Sequence, residues 1–214
     1  MSLTLYSSWR ATAPYRVRIA LNLKGLDYGY VPVNLAGGEQ HKPAFRAINP
    51  QRLTPALDVG EGEIMTQSLA ILEWLEEAHP TPALLPVDPR DRARVRAMVG
   101  IVASDIHPLI NLRVARALDA MDVAAPRIAK WMERWIVDGF QTLEPMIARF
   151  GHGYAFGETP TLADCCLIPQ VYSALRSRVS LEPFPAIAAV AERAATHPAF
   201  MAAHPDLQPD ALSA

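Results

Sequence analysis

Cysteine is scarce in this sequence: there are two among 214 residues, and they are the neighbours Cys165 and Cys166. Two adjacent cysteines in a helical pattern cannot form a framework of internal disulfides, so a reducing compartment is indicated and we expect the cytoplasm. An excess of charge is also missing, since the formal net charge is -2 and the isoelectric point is near 6.3. Without a strongly basic surface, the chain is not expected to bind nucleic acid.

Several signatures of chemistry and of targeting are missing as well. No basic leader precedes an apolar run of membrane length, so neither secretion nor a membrane span is expected. The six histidines are scattered and lack the spacing of metal ligands, so no metal site is predicted. The sequence contains no phosphate-binding loop, dinucleotide fingerprint or serine-histidine-acid elbow. These absences argue against the corresponding enzyme classes.

The residues that are present indicate a globular protein of two parts. Half of the residues are hydrophobic and 20% are charged, which is enough apolar surface for one large core or two smaller ones. The first 80 residues mix short strand and helix signals, whereas the chain after about residue 88 is almost purely helical in pattern. Three prolines between 80 and 86 form a stiff linker. We therefore predict domains over 1–82 and 88–214.

The first part is predicted to follow the order β-α-β-α-β-β-α. A strand with Leu3 and Leu5 leads through a polar turn to a helix with Pro14 at its first position, and Gly25 ends this helix. Within the helix, Arg16 and Arg18 point to different sides, and at least one is predicted to form a structural ion pair. The other predicted elements are an edge strand over 28–35 that contains Pro32, a helical turn around Phe45, a hairpin of 56–59 with 64–66, and a helix from Ser68.

The second part is predicted to contain helices over about 88–120, 125–149, 161–177 and 185–195, with a short turn after Pro198. Asp88 is expected to cap the first of them. Thr161-Leu162-Ala163-Asp164 has the pattern of a capping box, whose role is folding. Pro145 and Pro169 are expected to bend or shorten their helices.

Three short segments of the first part predict a ligand site. The turn before the first helix combines free backbone N–H groups, the positive end of the helix dipole and the Thr12 hydroxyl, and this combination favours a thiolate or a carboxylate. Pro55 precedes a strand, where a cis peptide would expose the backbone of Thr54 to a peptide ligand; the alternative is an ordinary trans proline that starts the strand, the common form of any X-Pro bond. Ser68 fits both a helix N-cap and a binding site for a free α-carboxylate, with help from the Gln67 amide.

These residues and several others resemble the zeta-class glutathione transferases, the family of the maleylacetoacetate and glutathione-dependent maleylpyruvate isomerases. The resemblance covers essentially the whole chain. It implies an α+β protein with a thioredoxin-like N-terminal domain, an all-α C-terminal domain, glutathione as cofactor and a homodimer. The matching segments are 16–25, 49–51, 53–57, 66–71, 105–108 and 157–164.

The resemblance also implies a reaction, the cis-trans isomerisation of a maleyl keto acid in aromatic catabolism. Arg10, Arg113 and Arg176 fall at positions that carry substrate-binding arginines in the maleylpyruvate isomerases, and their planar guanidinium groups suit carboxylates. We assign catalytic roles to Thr12, Arg10 and Arg176, and substrate binding to Arg113. The interpretation of each arginine as a solvated surface charge stays open. The predicted glutathione-binding residues are His41, Thr54, Gln67, Ser68, His107 and Asn111.

One departure from the family pattern concerns the thiolate itself. The family has Ser-Ser-Cys before the first helix, whereas this chain has Ala11-Thr12-Ala13, so only Thr12 keeps a hydroxyl. Activation of the thiol is then weaker or differently arranged, and reductive dehalogenation through that cysteine is not expected. Two alternatives follow: a glutathione transferase that conjugates small electrophiles, and a non-catalytic glutathione-binding protein.

Overall fold

A computed structural model describes residues 2–211, and these form two compact units. One unit contains the residues up to Leu84 together with the described residues from Thr196 onward, and the second contains Leu85–Ala195. The helices, in chain order, are α1 Thr12–Leu23, α2 Pro43–Ile48, α3 Ser68–Ala78, α4 Pro89–Gly100, α5 His107–Ile110, α6 Leu112–Asp119, α7 Ala125–Phe150, α8 Leu162–Arg176, α9 Pro185–Ala195 and α10 Pro198–Ala203.

The first unit contains a four-stranded mixed sheet. Its strands are β1 Leu3–Ser7, β2 Tyr28–Pro32, β3 Ala56–Asp58 and β4 Ile64–Thr66, in the order β2-β1-β3-β4. β2 runs parallel to β1, whereas β3 is antiparallel to both β1 and β4. The predicted element order and the edge position of β2 are confirmed. β2 ends at Pro32 and not at Leu35, because its partner strand β1 ends at Ser7, which pairs with Pro32.

The register of the sheet places several loops at the same end of its strands. Tyr6 near the end of β1 pairs with Ala56 at the start of β3, and Ala56 pairs with Thr66 at the end of β4. Ser7 pairs with Pro32, so β2 ends at the same end of the sheet as β1. The loops after β1, β2 and β4 and the loop before β3 therefore all begin or end there.

Buried apolar residues of the sheet and of two helices form the core of the first unit. α1 packs against α3 and α10. Its fully buried members include Leu5 and Leu57 from the sheet, Val17, Ile19 and Leu21 from α1, and Ile71, Leu72 and Leu75 from α3. The contact of α10 with α1 explains why the chain from Thr196 belongs to this unit, whereas the sequence placed it at the end of the helical domain, 88–214.

Two helix starts differ from the sequence predictions. α1 begins at Thr12, so Pro14 is its third residue and not its first, a position that is tolerated because the first N–H groups of a helix have no intrahelical partner. Ser68 is the first residue of α3, and the N-cap position is taken by Gln67, whose side chain makes no capping hydrogen bond. Gly25 follows α1 with a φ of +64°, as predicted for the residue that ends it.

The second unit is helical, and its first predicted helix is interrupted. A π-helical segment, Ile101–Ile106, joins α4 to α5, and Asn111 between α5 and α6 has an extended backbone. The prediction of a single helix over about 88–120 is therefore wrong. Asn111 breaks the helix because its side chain accepts hydrogen bonds from the backbone N–H groups of Arg113 and Val114 and so caps α6. By length and composition alone, the run Pro89–Asp119 is apolar enough to cross a membrane, a test that core helices also pass.

The two capping predictions of this unit are confirmed. Asp88 caps α4, and Thr161 with Asp164 forms the capping box of α8. Pro145 and Pro169 lie inside α7 and α8, which continue past them, so the expected shortening does not occur. The core is built from α4, α7, α8 and α9, with Met98, Ile106, Ile136, Phe140 and Ile187 among its fully buried side chains.

Candidate functional site

Most of the predicted site residues of the first unit lie in or beside the loops at one end of the sheet's strands. Thr12 follows β1, Thr54 precedes β3, and Gln67 with Ser68 follows β4. The loop after β2 leads to His41, which ends a 3₁₀ turn and is exposed. The topology therefore brings the predicted residues to the same end of this unit.

The start of α1 is suited to a negative charge. Its N-cap residue is Ala11, which has no side chain to bond the first N–H groups, and its first turn holds no acidic residue. Thr12, which is buried, places a hydroxyl in this first turn. Backbone N–H groups, the helix dipole and a hydroxyl together favour an anion here.

The start of α3 is also suited to a negative charge, and a buried arginine lies beside it. Gln67 has a φ of +67° and an exposed side chain that donates to Gln51 Oε1 at 2.9 Å. Ser68 is buried, and its Oγ accepts a hydrogen bond from Arg16 Nη1 at 3.2 Å. A buried guanidinium, a hydroxyl and a helix N-terminus form a donor set that suits a carboxylate.

Arg16 is a site residue that the sequence did not single out for binding. It lies one turn after Thr12 on α1 and is 2% exposed. An arginine among the apolar residues of a short helix was the signal, but its partner Ser68 is 52 residues away and only the fold joins them.

The loop before β3 contains a cis peptide bond between Thr54 and Pro55, as one of the two sequence interpretations proposed. Thr54 is half-buried. Asn49 Nδ2 donates to the carbonyl oxygen of Leu53 at 2.7 Å, and this bond holds the loop in place. Thr54 lies just outside β3, and a main chain beyond the paired part of a strand can pair with an extended peptide.

Two further predicted residues of this unit have exposed side chains. The Cζ atom of Arg10 lies 5.3 Å from the centre of the Trp9 ring, a cation–π contact. The His41 Nε2 atom lies 3.3 Å from Gln40 Nε2.

The remaining predicted residues belong to the second unit. His107 is half-buried at the start of α5, and Arg113 is exposed near the start of α6. Asn111 lies between them, and its Nδ2 donates to the carbonyl oxygen of Pro108 at 3.1 Å while its Oδ1 caps α6. Arg176 is the exposed last residue of α8, and its Cζ atom lies 5.6 Å from the centre of the Tyr172 ring. Asn111 therefore uses its side chain within its own turn.

Both halves of the chain match families of known proteins. The family described as glutathione S-transferase, N-terminal domain, matches residues 13–83. The family described as glutathione S-transferase, C-terminal domain, matches residues 129–207.

Three relatives resemble the chain over nearly its whole length. The maleylacetoacetate isomerase of Pseudomonas aeruginosa is 48% identical over 212 residues, which cover 98% of this chain and 99% of that protein. A holo structure of maleyl pyruvate isomerase, a bacterial glutathione S-transferase of the zeta class, has a TM-score of 0.94 at 48% identity and covers 97% of this chain and 99% of that chain. A crystal structure of maleylacetoacetate isomerase from Anaeromyxobacter dehalogenans 2CP-1, with GSH bound in the active site, has a TM-score of 0.90 at 44% identity and covers 98% of each chain.

Proposed function

Because this chain belongs to the glutathione S-transferase family, among its zeta-class isomerases, we propose that it isomerises a maleyl keto acid from cis to trans with glutathione as cofactor. The observation that carries the proposal is that the N-termini of α1 and α3, neither of which has a side-chain cap, lie at the same end of the sheet's strands. α1 follows β1 and α3 follows β4, and these two strands end on either side of the start of β3.

The residues of the first unit fit glutathione group by group. Glutathione has a free α-carboxylate, a peptide backbone and a thiol. The buried Arg16–Ser68 pair at the start of α3 suits the carboxylate. The main chain at Thr54 suits the peptide, and the start of α1 with Thr12 suits the thiol as a thiolate.

The mechanism assigns separate tasks to the chain's own residues. When bound, glutathione supplies a thiolate that adds reversibly to an electron-poor double bond and so permits rotation. Thr12 and the N-terminus of α1 stabilise negative charge on the sulfur and lower the pKa of the thiol. Arg10, Arg113 and Arg176 bind the substrate carboxylates and stabilise the negative charge that develops on the keto acid.

The three arginines favour maleylpyruvate over maleylacetoacetate as the substrate, since they match the maleylpyruvate isomerases. We further propose that the protein acts in aromatic catabolism in the cytoplasm, as a homodimer, without nucleic acid or a membrane as partner. His41, His107 and Asn111 remain proposed glutathione ligands beside Thr54, Gln67 and Ser68.

The experiment that tests this function follows the ultraviolet spectrum of maleylpyruvate, and separately of maleylacetoacetate, in the presence of the purified protein. We expect conversion to the fumaryl isomer with reduced glutathione and none without it. S-methylglutathione is the control, because it keeps the peptide and both carboxylates but has no thiol. Failure to convert either substrate, with glutathione still bound, would overturn the proposal.

That negative result would favour one of two other functions. The alanines at 11 and 13 replace a serine and a cysteine of the family pattern, which is the observation behind both of them. Formation of a thioether between glutathione and a small electrophile would identify a conjugating transferase. A bound thiol whose pKa stays near its solution value would identify a non-catalytic glutathione-binding protein.

Replacement of Thr12 by valine tests the thiolate site. Valine keeps the shape of threonine and removes the hydroxyl, so one hydrogen bond to a charged sulfur is lost and kcat/KM is expected to fall about tenfold. The pKa of the bound thiol, read from the ultraviolet absorbance of the thiolate, should rise. Thr12→Ser keeps the hydroxyl and serves as the control. A Thr12→Val protein with an unchanged thiol pKa would remove Thr12 from the mechanism.

A further inference from the structure

The C-terminal segment of the chain bonds to the loop that carries Arg10. Asp210 lies in a turn beyond α10. Its Oδ2 atom accepts the backbone N–H of Trp9 at 3.0 Å, and its Oδ1 atom accepts the hydroxyl of Tyr30 at 2.6 Å. One carboxylate thus joins the end of the chain to the loop after β1 and to the edge strand β2.

A buried arginine holds the same loop through its carbonyl. Arg18 is fully buried on α1, and its Nη2 atom donates to the carbonyl oxygen of Trp9 at 2.8 Å. Its Nη1 atom donates to Ser7 Oγ at 3.1 Å, and its Nε atom donates to the carbonyl oxygen of Ala203, the last residue of α10, at 3.0 Å. The N–H and the C=O of Trp9 are therefore both bonded to side chains that also contact other elements.

The loop after β1 is short, so the hydrogen bonds that hold Trp9 also restrict the residues beside it. Residues 8–11 form a turn that is closed by a hydrogen bond from the backbone N–H of Ala11 to the carbonyl oxygen of Ser8 at 3.1 Å. Arg10 follows Trp9 directly, and its guanidinium lies over the Trp9 ring. The orientation of Trp9 thus determines both the direction in which the Arg10 side chain leaves the backbone and the surface on which it rests.

We propose that Asp210 is a positioning residue that acts through Trp9 to place Arg10 for substrate binding. This inference rests on the proposed function, which gives Arg10 its role. An exposed arginine has many accessible rotamers, and fixing its backbone and its stacking surface reduces the ordering that substrate binding must supply. The bonds of Asp210 involve a charged acceptor, so they are stronger than those of a neutral one.

The test compares Asp210→Ala with Asp206→Ala. Asp206 is an exposed aspartate of the same segment that lies beside His204, so it controls for loss of a negative charge near the C-terminus. With glutathione saturating, we expect Asp210→Ala to lower kcat/KM for the keto acid about 5- to 20-fold, mainly through KM. The Kd of glutathione should change less than about twofold, because the Arg16–Ser68 pair is untouched. Asp206→Ala should match wild type.

A second measurement separates positioning from general stability. The exchange rate of the Trp9 amide hydrogen, followed by NMR, should rise in Asp210→Ala, because that amide loses its acceptor. In an Arg10→Ala background, Asp210→Ala should lower kcat/KM by less than about twofold further. If Asp210→Ala does not fold, Tyr30→Phe removes one of the two bonds to the carboxylate and should show smaller changes of the same kind.

The outcomes distinguish this inference from the proposed function. If wild type converts no maleyl keto acid, the function fails, and exchange of the Trp9 amide still decides whether Asp210 holds the loop. If wild type is active but Asp210→Ala and Tyr30→Phe keep its kcat/KM and its Trp9 exchange rate, the inference is overturned. A full second loss in the Arg10→Ala background would also overturn it, since Asp210 would then act independently of Arg10.

Discussion

Replacement of Arg176 by alanine is expected to lower kcat/KM for the maleyl keto acid by about 10- to 1,000-fold, the usual range for losing a charged contact to substrate. The expectation follows from the proposed contact between this guanidinium and a substrate carboxylate. Arg176 is exposed at the end of α8, where its side chain rests on the ring of Tyr172. Its removal should therefore disturb the fold little, and the loss should appear in the kinetics.

Two further variants show which property of Arg176 matters. Arg176→Lys keeps the positive charge but loses the planar fork that binds a carboxylate with two hydrogen bonds, so it should recover only part of the activity. Arg116→Ala is the matched control, because Arg116 is another exposed arginine of the same unit and has no proposed role. Equal kcat/KM values for wild type and Arg176→Ala would exclude Arg176 from the site.

The elements of the first unit were predictable because their signals are local. Gly25 ends α1, Pro32 lies on an edge strand, and the hairpin of β3 and β4 forms around Gly60 and Gly62, as the sequence predicted. Each of these features depends on the conformations that one or two residues permit, and these can be read from the sequence alone.

Features that depend on distant partners were not predictable in the same way. The sequence predicts an ion pair for at least one of Arg16 and Arg18, but the acceptors of the Arg18 hydrogen bonds are two carbonyl oxygens and the Ser7 hydroxyl. Its partner Ala203 is 185 residues away, so the sequence alone does not show that the C-terminal segment packs with the first unit. No local pattern reports a contact of this range.

The candidate site shows both cases. The sequence identified Thr12 and Ser68 because polar residues at a helix start are a local signal. It did not show that Arg16 supports Ser68, nor that Asn111 would use its side chain to end one helix and cap the next. The break at Asn111 was missed because the apolar periodicity continues through it, whereas the capping bonds decide the backbone.

Replacement of Asp164 by alanine is expected to lower the free energy of unfolding by about 2 to 4 kcal/mol. Asp164 is fully buried in the capping box of α8. Its Oδ1 atom accepts the backbone N–H of Ala155 at 2.7 Å, and its Oδ2 atom accepts the backbone N–H and the hydroxyl of Thr161 at 2.8 and 3.0 Å. Alanine leaves these three donors without an acceptor. Urea unfolding at a fixed protein concentration measures the change.

Asp138→Ala is the control for the loss of an acid, because the Asp138 carboxylate is exposed and pairs with Arg134 on the surface of α7. Its effect should stay within about 0.5 kcal/mol. Equal effects of the two replacements would mean that the buried hydrogen bonds of Asp164 add nothing to stability. A large loss confined to Asp164→Ala would show that the capping box holds α8 in the fold.

The pH dependence of stability tests the charge of the same group. Burial raises the pKa of Asp164 from its ordinary 3.8 to about 6, although the hydrogen bonds from Ala155 and Thr161 lower it. Between these two values the folded state keeps a proton that the unfolded state releases, so the contribution of Asp164 is greatest in acid and is lost as pH rises through about 6. Asp164→Asn has no such proton. From about pH 5 to about pH 7, the free energy of unfolding of wild type should therefore fall by about 1 kcal/mol relative to that of Asp164→Asn. If the two proteins instead show parallel plots of unfolding free energy against pH, the pKa of the Asp164 carboxyl is near its ordinary value.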